Sequence, residues 1–108
     1  MNVSKLAEKC GFIPVCLPDP EREVSGCYIG DLLSWVMGRV QSCNAWITIM
    51  SNVNIAAVAS LTDVGVIILA EGVTLDESVV SVAEKKGINI VSSTLPAYET
   101  AIKLNKVI

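Results

Sequence analysis

Polar side chains that could bind a ligand follow three apolar runs of the sequence. They are hydroxyl, amide and carboxylate groups, and short hydroxyls and amides beside free helix N–H groups are able to hold a phosphate or a carboxylate. The predicted ligand-binding residues are Thr48, Ser51, Asn52, Asn54, Glu71, Gly72, Ser93 and Thr94. This set favours the binding of a small anion.

The same residues have a second explanation, because Ser, Thr, Asn and Asp are the types that helix N-caps require in any protein. Asn52 and Asn54 flank Val53 and are the pair that capping explains least well. Both interpretations, a binding edge and a set of caps, follow from the sequence.

Catalysis is not indicated by any motif. The chain has no histidine, so acid–base chemistry would fall to Asp31, Glu71 or a cysteine. It also lacks the glycine-rich phosphate loop and the dinucleotide-binding turn. Glu71 precedes Gly72 and is interpreted as a turn residue. We therefore predict no enzyme, no catalytic residue and no cofactor.

The four cysteines are irregularly spaced and form no Cys-x-x-Cys pair. Without histidine, nothing completes a mixed metal site. We expect free thiols and no metal. The four are Cys10, Cys16, Cys27 and Cys43.

The elements that position the polar residues are three strand–helix units. The apolar runs have the pattern of strands buried on both faces: residues 45–50, 66–70 and 88–91. A helix is predicted after each: residues 53–61, 77–86 and 97–106. Asp76 and Gly87 would cap the second helix, and Thr94, with Pro96 in the first turn, is the candidate N-cap of the third.

The first half of the chain is less regular. Apolar spacing predicts a helix over residues 3–10 that ends at Gly11. Residues 12–17 and 24–29 read as short strands, the first at an edge because Pro14 cannot donate to a ladder. Asp31 is the expected N-cap of a short helix over residues 32–37, ending at Gly38.

These elements predict one α/β domain over residues 1–108, a small, mostly parallel sheet of about four to five strands flanked by helices. In such a sheet, the carboxyl ends of the strands meet at one edge, where ligands bind. The helix over residues 53–61 has almost no polar face. A second copy of the chain or a neighbouring helix would cover its outer side, and we expect a homodimer.

Charge excludes two partner classes. The net charge is −3 and the eight basic residues are scattered, so neither nucleic acid nor an anionic membrane is favoured. No apolar run is long enough to span a membrane, and no signal peptide is visible. The expected location is the cytoplasm.

Five segments of the chain form a recognisable pattern: residues 24–39 (VSGCYIGDLLSWVMGR), 45–55 (AWITIMSNVNI), 71–73 (EGV), 83–90 (AEKKGINI) and 95–98 (LPAY). These segments resemble the stand-alone DRTGG domain proteins of anaerobic bacteria. One departure is that residues 50–54 read MSNVN where the family has its Asp-Arg-Thr-Gly-Gly string.

The resemblance implies a regulatory role. Such domains occur beside phosphotransacetylases and nucleotide-sensing CBS modules. They are similar to the N-terminal domain of HPr kinase/phosphorylase. The resemblance therefore implies a Rossmann-like fold that tends to dimerise. Stand-alone forms are associated with iron-only hydrogenase and redox-signalling systems, which implies such proteins as partners.

The sequence and the resemblance together leave two main functions open. One is a non-catalytic regulatory module that senses a nucleotide or another small anion at the strand ends. The other is a protein–protein interaction subunit with no small-molecule ligand. An accessory to phosphoryl or acyl transfer is a third, less supported function, because no set of reacting groups is present.

Overall fold

A computed structural model describes all residues 1–108 as one five-stranded sheet between two layers of helices. In chain order the elements are α1 (Val3–Cys10), β1 (Ile13–Cys16), β2 (Cys27–Ile29), α2 (Leu33–Arg39), β3 (Ala45–Thr48), α3 (Asn54–Thr62), β4 (Val66–Leu69), α4 (Glu77–Lys85), β5 (Ile90–Ser92) and α5 (Ala97–Asn105). The strand order is β1-β5-β4-β3-β2.

The four strands from β2 to β5 are parallel, as the sequence predicts. Every residue of β3 and β4 is buried, because helices cover both faces of these central strands. Their side chains alternate between two cores. One core joins the sheet to α2, α3 and α4, and the other joins it to α1 and α5. The predicted fold class is confirmed.

β1 is an edge strand, as Pro14 predicts. It pairs antiparallel with β5, and its register shifts between Pro14 and Cys16. The sheet is therefore mixed, with one reversed strand at the edge opposite β2.

Neighbouring helices of the same chain flank the apolar helix α3. Its buried residues are Ile55, Ala56, Val58 and Ala59, and it packs between α2 and α4. Only its two ends expose large apolar side chains. The apolar character of α3 is thus largely satisfied within one chain, and it does not by itself require a second copy.

A crossing segment, residues 17–26, connects the two edge strands at the amino ends of the parallel strands. The Asn89 side chain accepts from Asp19 N (3.0 Å) and donates to Asp19 O (2.7 Å) just ahead of β5. Ser25 N donates to Cys43 O (2.9 Å) ahead of β3. These bonds fasten the segment to the loops that precede the parallel strands.

Three predicted helix ends are wrong. Asp31 does not cap α2, because its carboxylate binds the loop after β3 instead. Gly38 lies inside α2, which ends at Arg39 with Val40 as its C-cap. Thr94 does not cap α5, where Pro96 is at the cap position without a side-chain bond. The positions of the elements are as predicted, with no end shifted by more than three residues.

No helix of the chain combines the length and the apolar character that crossing a bilayer requires.

Candidate functional site

The loops that follow β2, β3, β4 and β5 all lie at the carboxyl edge of the sheet, because these four strands are parallel and adjacent. Each of the eight predicted ligand-binding residues ends a strand of this group or follows one. Direct bonds join two of the loops, since Glu71 N donates to Leu95 O (2.8 Å) and Gly72 N donates to Ser93 O (2.9 Å). The topology therefore brings the predicted residues to one edge.

Asp31 and Thr48 form a polar contact between two loops of this edge. The buried Thr48 hydroxyl donates to Asp31 Oδ1 (2.8 Å), which also accepts from Ile49 N (2.9 Å). Met50 N donates to the same hydroxyl (3.2 Å). Thr48 is thus committed to joining the ends of β2 and β3, and its hydroxyl is not free for a ligand.

The loop between β3 and α3 carries Ser51, Asn52 and Asn54, all of them exposed. Asn52 Oδ1 accepts from Asn54 N (2.9 Å), an Asx turn at the start of α3. Ser51 and the Asn54 side chain make no hydrogen bond within the chain. The Asx turn therefore accounts for the Asn52 side chain, although Val53 occupies the N-cap position, while Ser51 and Asn54 remain available to a ligand.

Glu71 and Gly72 are the two central residues of a tight turn that begins at Ala70. Both have positive φ (61° and 67°), and Val73 N donates to Ala70 O (3.2 Å). Two consecutive left-handed residues define a type I′ turn, which explains glycine at the second position. Glu71 has the turn role that the sequence predicts, and its exposed carboxylate lies at the carboxyl edge.

Ser93, rather than Thr94, bonds the loop ahead of α5, although neither side chain caps the helix. The buried Ser93 hydroxyl lies 2.8 Å from Thr100 Oγ1 and accepts from Leu95 N (3.2 Å). Thr100 Oγ1 also donates to Leu95 O (3.2 Å). Ser93 is therefore a structural residue, whereas Thr94 is exposed and unbonded.

The charges of the carboxyl edge oppose a simple anion site. The loops between each of these strands and the next helix contain Asp31, Glu71 and Asp76 but no lysine or arginine. A phosphate there would rely on backbone N–H groups and on the hydroxyl and amide side chains of Ser51, Asn54 and Thr94. Some N–H groups of α3 are already used, since Ile55 N bonds Asn52 O.

The largest cavity lies elsewhere, in a groove of about 570 Å³ between β2 and α5. Its floor includes Cys27 and Ile29, and its wall includes Tyr98 and Ile102. Lys106 is the only charged residue that lines it. This groove has no signal in the sequence because it arises from topology: α5 packs over β3, which leaves one face of the outermost strand bare.

A polar cluster at the opposite end of the sheet surrounds Cys43. Arg22 Nη2 donates to Cys43 Sγ (3.5 Å) and to Asp63 Oδ1 (2.8 Å), and the Ser42 hydroxyl contacts both Cys43 Sγ and the Asp63 carboxylate. The Arg22 and Ser42 bonds lower the pKa of the Cys43 thiol. Burial raises the pKa of Cys16, on β1, to about 11.

All four cysteines are free thiols. Cys10 and Cys16 are buried, as their apolar surroundings in the sequence predict.

Two buried asparagines were also missed. Asn44 and Asn89 immediately precede β3 and β5 and bind the crossing segment. The signal was present in the sequence: Asn44 immediately precedes the apolar run 45–50, and Asn89 is the one polar residue within the run 88–91.

Comparison with known proteins gives one informative likeness. No protein-family model matches the sequence, and no curated protein matches it. The fold is similar to a crystal structure of the CBS and DRTGG domains of the regulatory region of Clostridium perfringens pyrophosphatase, complexed with its activator diadenosine tetraphosphate. The TM-score is 0.75 at 10% sequence identity, and the match covers 95% of this chain and 45% of that chain.

At this identity the likeness shows the fold alone. It supports the DRTGG-like architecture to which the sequence segments point, over nearly the whole chain and less than half of that regulatory region.

Proposed function

We propose that the chain is a non-catalytic regulatory module that binds a nucleotide or a related small anion at the carboxyl edge of its sheet and acts in the cytoplasm as a homodimer. The observation that carries the proposal is the shared architecture with a regulatory region that binds diadenosine tetraphosphate. The parallel topology adds to it by collecting the available polar groups of three loops at one edge.

The polar contacts of the carboxyl edge reduce the number of residues that are free to bind a ligand. Thr48 and Ser93 hold loops together, and Asn52 completes a turn. The proposed ligand contacts are therefore the side chains of Ser51, Asn54 and Thr94, since the backbone N–H groups of Glu71 and Gly72 already donate to Leu95 O and Ser93 O. Because this edge carries carboxylates and no cation, we expect modest affinity that improves when a divalent cation accompanies the phosphate groups.

Thermal denaturation with candidate ligands tests the proposal. The compounds are AMP, ATP, diadenosine tetraphosphate, acetyl phosphate and coenzyme A, each with and without Mg²⁺. A ligand at about 100 times its dissociation constant should add about 2.7 kcal/mol to the free energy of unfolding. If none of them raises the melting temperature, the ligand-sensing proposal is wrong.

Asn54→Ala locates the site once a ligand is found. Its side chain makes no bond within the chain, so the variant should keep the free energy of unfolding within about 0.5 kcal/mol and weaken ligand binding. Ser60→Ala, an exposed position on the same helix away from the edge, is the matched control and should bind normally. Equal binding by both variants would place the ligand elsewhere.

A second function, a protein–protein interaction subunit without a small-molecule ligand, is favoured by the exposed apolar side chains. Tyr98 is 73% exposed, Leu32 59% and Trp35 53%, more large apolar surface than a small monomer usually leaves to solvent. The segments that resemble DRTGG proteins imply hydrogenase or redox-signalling proteins as partners. A negative ligand screen together with a stable complex with such a protein would support this function.

A further inference from the structure

We infer that the dimer forms through β2, whose free edge pairs antiparallel with β2 of a second copy about a two-fold axis at Tyr28. This inference rests on the homodimer of the proposed function and names its surface. Four features carry it: free backbone groups, a self-complementary register, an uncharged strand, and a concentration of exposed apolar side chains.

The outer backbone groups of β2 have no partner strand. Gly30 N donates to Ile47 O (3.2 Å) and Gly26 O accepts from Ala45 N (3.0 Å), so the even-numbered residues face β3. In a parallel ladder, alternate residues point to opposite sides. The N–H and C=O groups of Cys27 and Ile29 therefore point outward, as a template for another extended strand.

The register of these groups suits a two-fold axis. With Tyr28 opposite its own copy, Cys27 lies opposite Ile29, and the outward groups of the two residues form hydrogen-bonded pairs. The pairing makes four backbone hydrogen bonds between the chains. Glycine flanks the strand on both sides, at Gly26 and Gly30, so no side chain obstructs either end.

The strand is also free of the features that protect edges. Residues 24–30 contain no proline and no charged side chain, and a two-fold contact would otherwise bring like charges together. A longer extended peptide from another protein could use the same edge. A second copy is the partner that we propose, because its β2 has the same outward backbone groups in the complementary register and carries no charge.

The groove beside β2 would be closed by the second copy. Because α5 packs over β3, the two α5 helices would be separated by three strand spacings, about 14 Å. Packed helices lie about 8–10 Å apart, so large side chains must fill the difference. Tyr98 (73% exposed) and Ile102 (38% exposed) line the groove on α5 and are suited to that space.

Exposed apolar side chains are concentrated at this end of the molecule. Helices α2, α3 and α4 follow one another across one face, with α4 next to β1, which makes α2 the helix that borders the β2 edge. Seven of the eleven large exposed hydrophobic residues belong to β2, to the ends or surfaces of α2 and α5, or to the chain end after α5: Ile29, Leu32, Trp35, Met37, Tyr98, Ile102 and Ile108.

A matched pair of substitutions tests the surface. Ile29→Lys on β2 and Ile13→Lys on β1 replace isoleucines of similar exposure (50% and 59%) on the two edge strands. By light scattering and analytical ultracentrifugation, Ile29→Lys should raise the dimer dissociation constant about a hundredfold, because two lysines then lie beside the axis. Ile13→Lys should leave it unchanged. Circular dichroism establishes that both variants are folded.

A cross-link tests the register. In a Cys43→Ser background, Ile29→Cys should form disulfides with the natural Cys27 of the second copy, because hydrogen-bonded antiparallel pairs have Cα atoms about 5.5 Å apart. Ile13→Cys in the same background is the control. Mass spectrometry should find the link between the peptides that contain positions 27 and 29.

The outcomes separate the two proposals. A wild-type chain that is monomeric at every concentration contradicts the homodimer itself, and with it the β2 interface. A wild-type dimer that survives Ile29→Lys and does not cross-link through position 29 contradicts the β2 interface alone. Loss of the dimer in Ile13→Lys but not in Ile29→Lys would move the interface to β1.

Discussion

The two edge strands, β1 and β2, show how differently one sheet can end. β1 runs antiparallel, carries Pro14, changes register within four residues and ends at the buried Cys16. β2 runs parallel, is flanked by glycines, and leaves Cys27 and Ile29 exposed above a groove. Natural sheets protect their edges with proline and bulges. The chain applies both devices to β1 and neither to β2, which is why we propose β2 as the dimer edge.

The largest expected effect concerns the side chain that holds β2. Trp46, on β3, is fully buried and donates from its indole N–H to Gly30 O (2.9 Å). Trp46→Ala should lower the free energy of unfolding by about 3–5 kcal/mol, because it leaves a large cavity and an unpaired carbonyl. Chemical denaturation measures the loss.

Pro14→Ala at the other edge is the contrast. Pro14 is exposed, so the free energy of unfolding should change by no more than about 0.5 kcal/mol. If Pro14→Ala lost as much unfolding free energy as Trp46→Ala, the contrast between an edge that depends on a buried side chain and one that does not would be wrong.

A smaller effect is expected at the end of β2. Asp31→Ala removes the acceptor of the buried Thr48 hydroxyl and of Ile49 N, and should cost about 1–3 kcal/mol of unfolding free energy. Asp76→Ala is the control, because Asp76 precedes α4 without a side-chain cap bond. If both variants unfold alike, Asp31 does not hold the β2 and β3 ends together.

Amide hydrogen exchange can resolve β2 residue by residue. Tyr28 N faces β3 and should be protected, whereas the outward amides of Cys27 and Ile29 should exchange rapidly in dilute protein. At high protein concentration the proposed dimer should protect those two amides as well. Slow exchange of Cys27 and Ile29 in a monomeric sample would mean that the β2 edge is already covered within one chain.

The smallest effect concerns two thiols, Cys43 just before the central strand β3 and Cys16 at the end of the edge strand β1. Hydrogen bonds from Arg22 and Ser42 lower the pKa of Cys43, so this half-exposed thiol has more thiolate at neutral pH than an ordinary cysteine. Iodoacetamide should modify Cys43 long before the buried Cys16, whose pKa is about 11.

Ser42→Ala removes one of these bonds. The pKa of Cys43 should then rise toward its ordinary value, and alkylation of Cys43 should slow at neutral pH. An unchanged pH profile of alkylation would show that the Ser42 contact does not stabilise the thiolate.

Periodicity was enough to predict the fold because the central strands are buried on both faces. Strands 45–48 and 66–69 lie within the predicted apolar runs, and strand 90–92 extends one residue beyond the predicted run 88–91. Pro14 predicts a strand that is short or at an edge, and β1 is a four-residue edge strand. The antiparallel direction of β1 left no trace in the sequence, since a four-residue strand of either direction has the same composition.

The candidate site was only partly predictable. The strand order brings all eight predicted residues to one edge, but residue type could not tell a free hydroxyl from a bonded one. The hydroxyls of Thr48 and Ser93 are hydrogen-bonded to Asp31 and Thr100, which lie 17 and 7 residues away in the sequence. Asp31 itself was misplaced as a helix cap because its true partners lie on a neighbouring strand.

The crossing segment couples the stability of the two edge strands, β1 and β2. Residues 17–26 run past the starts of β5, β4 and β3 and are bonded to Asn89, Asp63 and Cys43 on the way. The two edge strands, β1 and β2, are thus consecutive along the chain, and the crossing segment that joins them spans about 19 Å. A single protease cut within the crossing segment would release both edge strands from this connection. The chain's resistance to such a cut therefore reports on the stability of the whole sheet.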